Sequence, residues 1–389
     1  MLMFRRMDII LPMNSQYSVL DHFTIQMHDA LTRLGIHCRL LKIQHENPKA
    51  FYEELARDLP ECTLCFNGLT SSSGEFLADF LKIPHIACLV DSPHYFLDLA
   101  KSTHSVLTCP DRFEANFFAP LFKNPIFFMP HAVEKSLLLE APDEEKTYPV
   151  LMLASAISYK ARKTRWHTRY PPHIVKTLKD AAHITLNDQT TSFIKAFAIA
   201  HEEHAKLNPN ASFEGANSIA LLTELEKYVK GEDRVKLIKG VKDAEVHVFG
   251  SADGQFDWDA CLQGTPENVI LHSEVPFPEA INLMKRAKIL LNSTPFMKSG
   301  AHERIFSGIA CGALVITAEN NYLKQFFKDD ESIVFYRHGH WDEINEKVNY
   351  YLSHEEERRR IVEKGRAITL NHHTWDHRAK ELMSHFPKA

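Results

Sequence analysis

The sequence predicts an α/β protein with two parallel-sheet domains. Apolar, strand-like runs alternate with helical patterns through most of the chain, which is typical of a parallel sheet covered by helices. With 389 residues the chain is too long for one ordinary core, so two domains are expected. The acidic, polar segment 140–148 interrupts the alternation and is interpreted as a linker. We therefore predict a domain over 1–145, a second over 146–372 and a closing helix over 373–389.

The first domain reads as six strands separated by helices and polar turns. Gly35 ends an amphipathic helix and so separates it from the next strand. Two later strands end in polar residues, one at Asp91 and one at His131. The predicted strands are 7–12, 36–43, 63–66, 85–90, 105–109 and 125–129. The predicted helices are 21–34, 51–59, 74–81 and 112–121.

The second domain begins with the apolar run 149–154 and then departs from the alternating pattern. Residues 159–240 look mostly helical, so we predict a helical insertion there. Its basic run 160–169 is interpreted as a solvated helix face. Alternation resumes at strand 245–249, which ends in glycine. The later strands are predicted at 269–272, 289–292, 313–317 and 333–336. The later helices are predicted at 278–287, 341–352, 355–370 and 374–386.

Composition excludes several classes of protein. The formal net charge of −5 gives no general affinity for nucleic acid, and no window is long and apolar enough to span a membrane. The first residues look like a β-strand rather than a signal peptide, and the seven scattered cysteines indicate a reducing compartment. A cytoplasmic protein is therefore expected, with peripheral membrane contact left open. The 23 histidines show no spacing typical of a metal site, so no metal is predicted.

The segment 290–318 is the most informative stretch of the chain. It reads as a strand, a polar loop that ends at Ser299 and Gly300, a helix, and a buried strand. The free N–H groups and the positive dipole end at such a helix start favour a phosphate group. Arg304, in the first turn, adds a planar charged fork that suits phosphate oxygens. An ordinary αβ unit of a doubly wound domain is the alternative explanation.

Several segments of the second half, taken in order, resemble the donor domain of group 1 glycosyltransferases with the GT-B fold. They include HVFGSADG at 247–254, NVILHSEVPFPEAINLMKRAKILLN at 268–292, SGAHERIFSGIACGALVIT at 299–317 and HHTWDHRAKELM at 372–383. More narrowly, they resemble the spore-maturation-protein-like (CgeB-like) branch, which implies a bacterial enzyme. The resemblance covers 245–385 well. Before residue 150 it is weaker and rests on PHIACLVDSPHYF and FFMPHAV.

This resemblance implies a fold and a donor substrate. Two Rossmann-like domains would face each other across a cleft, and the closing helix would return to the N-terminal domain. The donor would be a nucleotide-diphosphate sugar of the UDP or GDP type, bound without a metal or another cofactor. The residues expected at the donor site are His272, Ser273, Lys298, Ser299, Gly300, Ala301, His302, Glu303, Arg304 and Ser307.

One departure from the family pattern concerns the ribose. Ser307 stands five residues before Gly312, where many group 1 enzymes carry a glutamate that binds the ribose hydroxyls. Glu303 lies one helical turn earlier on the same face. Either these two side chains replace the glutamate together, or the ribose is held differently, so UDP as the donor nucleotide and a retaining stereochemistry stay open. Lys298 either adds charge at the pyrophosphate or is a solvated lysine. The loop from His272 either holds the base or is a plain turn.

The acceptor-side candidates follow strands of the first domain. In open α/β sheets, ligands bind beyond the carboxyl ends of the strands. Asp91 stands at such an end, and Asp91 or His94 could take the proton of an acceptor hydroxyl. The alternative for Asp91 is a cap of the helix that follows. His131 matches the family's PHGV position, with Ala132 in place of the glycine, and would contact the sugar or the pyrophosphate. The polar loop 14–17 stands where the family often has an acceptor-facing loop.

We therefore predict a metal-independent glycosyltransferase that moves a sugar from a nucleotide-diphosphate sugar to an acceptor. A surface glycan, a lipid-linked glycan and a protein all remain open as acceptors. Two alternatives are a nucleotide-sugar epimerase, for which no carboxylate–histidine set stands out, and a catalytically silent GT-B-like nucleotide-binding protein. The serine at position 307 favours the silent protein. Slow hydrolysis of the donor without acceptor would distinguish a transferase from a silent binder.

Overall fold

The strands form two separate parallel sheets of six strands each. The computed structural model describes residues 4–12, 16–43, 48–69, 75–142, 144–207 and 217–386. Among these residues, no helix has both the length and the apolar character needed to cross a bilayer. The predicted α/β class with two parallel sheets is confirmed.

The N-terminal sheet has the strand order β2-β1-β3-β4-β5-β6, with every neighbouring pair parallel. Its strands are β1 (Arg6–Leu11), β2 (His37–Lys42), β3 (Cys62–Phe66), β4 (His85–Cys88), β5 (Ser105–Cys109) and β6 (Ile126–Phe128). The helices of this half are α1 (Val19–Arg33), α2 (Pro48–Arg57), α3 (Leu77–Leu81), α4 (Arg112–Phe118) and α5 (Lys135–Leu139). Each of the six predicted strands is present.

The C-terminal sheet has the order β12-β11-β10-β7-β8-β9 and is also parallel throughout. Its strands are β7 (Tyr148–Leu153), β8 (Val246–Phe249), β9 (Val269–His272), β10 (Ala287–Asn292), β11 (Leu314–Ala318) and β12 (Val334–Tyr336). The helices after the insertion are α10 (Trp258–Leu262), α11 (Phe277–Lys285), α12 (Glu303–Ala310), α13 (Glu343–Ser353), α14 (Glu355–His372) and α15 (Trp375–Ser384).

The apolar run of β7 shows why this sheet lies inside the molecule. Leu151 and Leu153 belong to one hydrophobic core, whereas Val150 and Met152 belong to a second one. Successive side chains of a strand point to opposite faces, so both faces of β7 are covered. A continuous rather than alternating apolar run is the consequence.

The predicted helical insertion is confirmed in the residues that the structure describes. It contains α6 (Tyr159–Arg169), α7 (Pro172–Asn187), α8 (Phe193–Leu207) and α9 (Ser218–Gly240). Its apolar residues share one core with residues of the N-terminal sheet such as Ala87, Leu89 and Leu107. In sequence the insertion lies between β7 and β8 of the C-terminal sheet. In the structure it nevertheless packs against part of the N-terminal half.

The closing helix α15 returns to the N-terminal half and packs against α1. Trp375 lies between the rings of Phe23 and Phe66, and Arg33 forms a 2.7 Å ion pair with Asp376. The strands pass from one sheet to the other between β6 and β7. The division of domains at residue 145 and at residue 372 stays a prediction, because the hydrophobic cores extend across both halves.

Candidate active site

The carboxyl ends of the two sheets are joined by the loop after β5 and the loop after β10. The N–H of Arg112 donates to the carbonyl of Ser299 at 3.1 Å, and the N–H of Ser299 donates to the carboxylate of Asp111 at 2.7 Å. Asp111 also caps α4 by accepting from the N–H groups of Phe113 and Glu114. One carboxylate thus fixes a helix start in the first half and the glycine loop in the second half.

Gly300 is required by this contact between the halves. A Cβ atom at this position would lie 1.9 Å from the carbonyl oxygen of Pro110, so only glycine fits. The preceding N–H, that of Ser299, is already bound to Asp111. We expected Ser299 and Gly300 to form part of the phosphate loop. The Ser299 N–H is therefore not available to a phosphate, and close backbone packing explains the glycine at position 300.

The start of α12 is closed by a residue from the N-terminal half. The N–H of Glu303 donates to Nδ1 of His131 at 3.2 Å, and the N–H of His131 donates to the carbonyl of Ala301 at 3.4 Å. His302 is the N-cap residue, and Ala301 is buried. We expected Gly300, Ala301 and His302 to offer free N–H groups to a ligand. The first N–H within the helix, that of Glu303, has a partner, and the dipole of α12 makes this end positive. The donation of the N–H groups of Gly300, Ala301 and His302 to a ligand stays a prediction.

His131 holds a buried hydrogen-bond donor beside the start of α12. Because Nδ1 accepts the Glu303 N–H, the proton of the neutral ring is on Nε2. The side chain is buried, and Nε2 has no hydrogen-bond partner among the described residues. Burial, with a contribution from the neighbouring His302, lowers the pKa of His131 to about 3. The ring is therefore neutral at physiological pH and presents an N–H group.

Glu303 organises the charges beside His131. Its buried carboxylate contacts Nδ1 of His302, and one of its oxygens lies 3.6 Å from Nε of Arg304. Burial acts to raise the pKa of Glu303, but His302 and Arg304 outweigh it, and the pKa falls to about 2. Glu303 is therefore ionised, and it orients Arg304 at the edge of the cleft.

Two cations that the sequence analysis missed lie beside Arg304, and both come from α9 of the insertion. Nη1 of Arg234 donates to the carbonyl of Ser155 at 2.7 Å, whereas its buried Nε has no partner among the described residues. Burial and then the charge of Arg304 lower the pKa of Arg234 to about 10. Lys230, one turn earlier, pairs with Glu226 at 2.5 Å and lies close enough for its charge to lower the pKa of His302.

A sequence signal for this position of α9 existed in Gly231. A glycine inside a 23-residue helix destabilises that helix unless it serves packing. Here a Cβ atom would lie 2.6 Å from the carbonyl of Ile157, in the loop after β7. The close approach brings Lys230 and Arg234 to the carboxyl end of the second sheet. The sequence alone did not show which segment approaches α9 at this glycine, so the position of Lys230 and Arg234 could not be predicted.

The cleft contains a pocket at the carboxyl ends of β7 and β8. Ser155 and Gly250 form its floor, Glu274 and Val275 form one wall, and Arg304 closes one side together with Glu303. On the N-terminal side the pocket is lined by Tyr17 and Val19. Both halves of the chain therefore contribute to one pocket.

The polar loop predicted to face the acceptor lies only partly within the described residues. Positions 14 and 15 are outside them. Tyr17 lines the pocket, and Tyr17 and Ser18 both have left-handed backbone conformations, with φ of 57° and 65°. Consecutive left-handed residues other than glycine are unusual and concentrate at functional sites. The loop therefore belongs to the pocket that Arg304 also lines.

The residues expected at the base are displaced from this pocket. His272 stacks on Phe249, with ring centroids 4.1 Å apart, and forms a 3.0 Å hydrogen bond with His247. His272 and Ser273 do not line the pocket, whereas the next residues, Glu274 and Val275, do. We expected His272 and Ser273 to line the donor pocket, but the residues of this loop that do so are Glu274 and Val275.

Ser307 and Lys298 are also corrected. Ser307 is buried and faces a separate crevice against α1 and α11, so its hydroxyl does not reach the pocket. Lys298 is 1% exposed, and its Nζ donates to the carbonyls of Thr185 and Asp188 at 3.0 and 2.9 Å. It is therefore neither a phosphate ligand nor a solvated lysine. Its two hydrogen bonds satisfy carbonyls at the carboxyl end of α7, and burial lowers the pKa of Lys298 to about 7.

The acceptor-side candidates separate in the same way. Asp91 is partly exposed at the end of β4, and the N-cap of the short helical turn that follows is Ser92 rather than Asp91. His94 is buried, with Nδ1 2.8 Å from Ser92 Oγ and Nε2 3.5 Å from Glu226. The ring also packs at a tilt against Tyr95, with ring centroids 3.9 Å apart. Because no side of this imidazole faces the cleft, we drop His94 as a candidate base.

One group of potential metal ligands occurs among the described residues. It consists of His131, His302 and Glu303, whose ligand atoms lie within 4.8 Å of one another. The Nδ1 atom of His131 is already occupied by a backbone N–H. The nearby charges of Arg304 and Arg234 oppose a cation at this position. The same field suits an anion.

Comparison with known proteins agrees with this geometry. A family model described as glycosyl transferase-like matches residues 233–384, which contain Arg234, α12 and the closing helix. No curated protein sequence matches significantly. The match begins within α9 and includes the strands β8 to β12 of the C-terminal sheet. The predicted enzyme class, a glycosyltransferase, is confirmed by it at the level of the class.

Solved glycosyltransferase structures share the fold over nearly the whole chain. A glycosyltransferase from Rickettsia africae is 11% identical with a TM-score of 0.52, covering 98% of each chain. Sucrose-phosphate synthase from Thermosynechococcus elongatus is 10% identical with a TM-score of 0.54, covering 98% of each. Anabaena HepE, solved with UDP and glucose, is 10% identical with a TM-score of 0.54, covering 98% of this chain and 99% of its own. The predicted GT-B fold is confirmed.

Proposed function

We propose that this protein transfers a sugar from a nucleotide-diphosphate sugar to an acceptor without the help of a metal. The observation that carries the proposal is Arg304 at the start of α12, on the wall of a pocket lined by both halves, while Arg234 donates to the carbonyl of Ser155, another residue that lines this pocket. Two arginines with one adjacent carboxylate leave a positive charge that a pyrophosphate would neutralise. The dipole of α12 adds to this field.

The chemistry of this step is the departure of a nucleoside diphosphate. As the bond between the anomeric carbon and the phosphate oxygen breaks, negative charge develops on the leaving group. Arg304 and Arg234 would stabilise that charge, and Lys230 would contribute through the same field. Preorganised cations in a partly buried site act more strongly than they do in water.

The pocket suggests how the rest of the donor is held. The nucleoside would occupy the floor at Ser155 and Gly250. Many group 1 enzymes bind the ribose hydroxyls with a glutamate at the position of Ser307, and in this chain Glu274 would take over that contact. Anabaena HepE was solved with UDP and with UDP-glucose. We propose UDP as the first donor nucleotide to test, with GDP as the second.

His131 and Asp91 would act on the sugar and on the acceptor. The neutral His131 ring would donate its Nε2–H to a sugar hydroxyl or to a phosphate oxygen next to Arg304. Asp91, at the end of β4, would accept the proton of the attacking hydroxyl. The acceptor would be a surface glycan, a lipid-linked glycan or a protein. By the order of its motifs we place the chain in the CgeB-like branch.

A catalytically silent nucleotide-binding protein is the second candidate. Serines stand at 307 and 299, and neither side chain lines the pocket. The discriminating experiment measures the slow hydrolysis of UDP-glucose and GDP-sugars by the purified protein without acceptor, with and without chelator. The proposal predicts hydrolysis that chelator does not change and that Arg304→Ala abolishes. Nucleotide binding without any hydrolysis or transfer would favour the silent protein.

A further inference from the structure

A second cavity lies at the opposite end of α12 from the cleft. Its volume is about 370 Å³, which falls within the usual range of roughly 300–1,000 Å³ for small-molecule sites. Pro142, Glu144 and Lys146 of the linker form one side, and Gly312, just after α12, forms the floor. The face of α14 forms the remaining wall.

Positive charge dominates this cavity. Lys146 lines it together with Arg358, Arg359 and Arg366 of α14, whereas Glu144 and Glu363 are the carboxylates among the lining residues. Arg358 and Arg366 are eight residues apart, so they lie two turns apart on a single helix face. A cation from the linker completes the set across from that face.

Two partly buried members of this set, Lys146 and Arg366, are held by backbone carbonyls rather than by carboxylates. Nζ of Lys146 donates to the carbonyls of Lys285 and Cys311 at 2.6 and 3.1 Å. Nη2 of Arg366 donates to the carbonyl of Leu138 at 2.9 Å, and its buried Nη1 has no partner among the described residues. Carbonyl contacts orient the two cations without neutralising them.

The two remaining arginines, Arg358 and Arg359, differ in burial. Nη2 of Arg359 lies 2.6 Å from Glu355, whereas Arg358 is buried, donates from Nη1 to the carbonyl of Tyr351 at 2.9 Å and lies 4.0 Å from Glu355. Burial lowers the pKa of Lys146 to about 8, and the charges of Arg358 and Arg366 act in the same direction. Holding these like charges together is unfavourable unless an anion joins them.

We propose that this cavity binds a small anion with a compact diphosphate group, at a site separate from the donor pocket. Arg358 and Arg359 would contact one phosphate, and Arg366 and Lys146 would contact the other. Each contact is a charge-assisted hydrogen bond of the kind arginine and lysine make with phosphate. The proposal does not rest on glycosyl transfer, because the site shares no residue with the cleft.

The test is calorimetric titration of the full-length protein with inorganic pyrophosphate at low salt. Arg359→Glu is compared with Arg360→Glu, a matched control that makes the same change in net charge. Arg360 is 58% exposed, pairs with Glu357 at 3.6 Å and does not line the cavity. Arg359 is 73% exposed, so neither substitution threatens folding. Arg304→Ala identifies any pyrophosphate bound in the cleft.

The proposal predicts a binding event that survives Arg304→Ala, weakens at least about tenfold in Arg359→Glu and persists in Arg360→Glu. It is overturned if Arg359→Glu titrates like the wild type, if both charge-reversal variants lose binding equally, or if Arg304→Ala removes all binding. If no binding event depended on Arg304, the donor site would be contradicted while this proposal would stand. The two sites can thus fail separately.

Discussion

The Nδ1 atom of His131 accepts a hydrogen bond from the backbone N–H of Glu303 at 3.2 Å. The imidazole belongs to the loop after β6, and the N–H belongs to the first turn of α12, so the bond joins the two halves at the base of the cleft. Only the neutral ring accepts on this nitrogen while its Nε2 donates. The backbone N–H in the first turn of α12 therefore fixes the tautomer of His131.

Buried neutral histidines predict that the protein loses stability as the pH falls. Burial lowers the pKa of His85 to about 4, of His131 to about 3 and of His373 to about 2. The unfolded chain, with histidine pKa values near 6.5, binds these protons first, so the free energy of unfolding falls as the pH drops below about 6.5. Each histidine contributes about 1.4 kcal/mol per pH unit in that window.

Urea denaturation at pH 7.5 and pH 5.0 measures this loss. His85→Leu should reduce the difference between the two pH values by about 2 kcal/mol, the share of one histidine. His167→Leu is the control, because His167 is exposed on α6. A wild-type stability that does not change between these pH values would show that the rings are protonated in the folded state.

Gly300→Ala should destabilise the protein and weaken donor binding together. The new methyl group would overlap the carbonyl of Pro110, so the loop after β10 must move away from the N-terminal half. Overpacking of this kind destabilises by about 1–3 kcal/mol. Ser299→Ala is the control, since it leaves the backbone contacts with Asp111 in place. Thermal unfolding of both variants tests the effect, and equal midpoints would refute the packing role.

Asp91→Asn separates catalysis from binding. If Asp91 takes the proton of the acceptor, turnover should fall by about 10²–10⁴-fold while donor affinity stays nearly unchanged, because the substitution is isosteric. The measurement is kcat together with the donor dissociation constant. Near-normal turnover would remove Asp91 from the mechanism. A weaker donor affinity would instead place Asp91 in the donor pocket.

The sequence predicted the fold better than it predicted the contacts of the site. The strands were predicted from apolar runs such as that of β7, whose side chains are apolar on both faces of the sheet. The partner of Gly300 could not be predicted, because Pro110 is distant in sequence and only the packing of the two halves brings them together. Lys298 reads as a polar loop residue, yet the end of α7 covers it.

The cations of α9 were missed for a related reason. Arg234 lies in the insertion, where no motif marks it, and its function depends on the approach of α9 to the loop after β7. Arg304 was identified because a local pattern, a glycine loop before a helix, indicates an anion site. Local patterns therefore predicted one half of the cation pair, and tertiary packing supplied the other half.

The central claim is that Arg304 and Arg234 bind the pyrophosphate of the donor. The most direct test is calorimetric titration of UDP and GDP into the wild type and into Arg304→Gln and Arg234→Gln. Arg165→Gln is the control, because Arg165 is an exposed cation on α6. Circular dichroism establishes that each variant is folded.

We predict that the nucleotide that binds the wild type loses about 1.5–3 kcal/mol of binding free energy in each of the two test variants. The control should bind as the wild type does. If folded Arg304→Gln and Arg234→Gln bind that nucleotide as tightly as the wild type, the pyrophosphate lies elsewhere and the account of the donor site is contradicted.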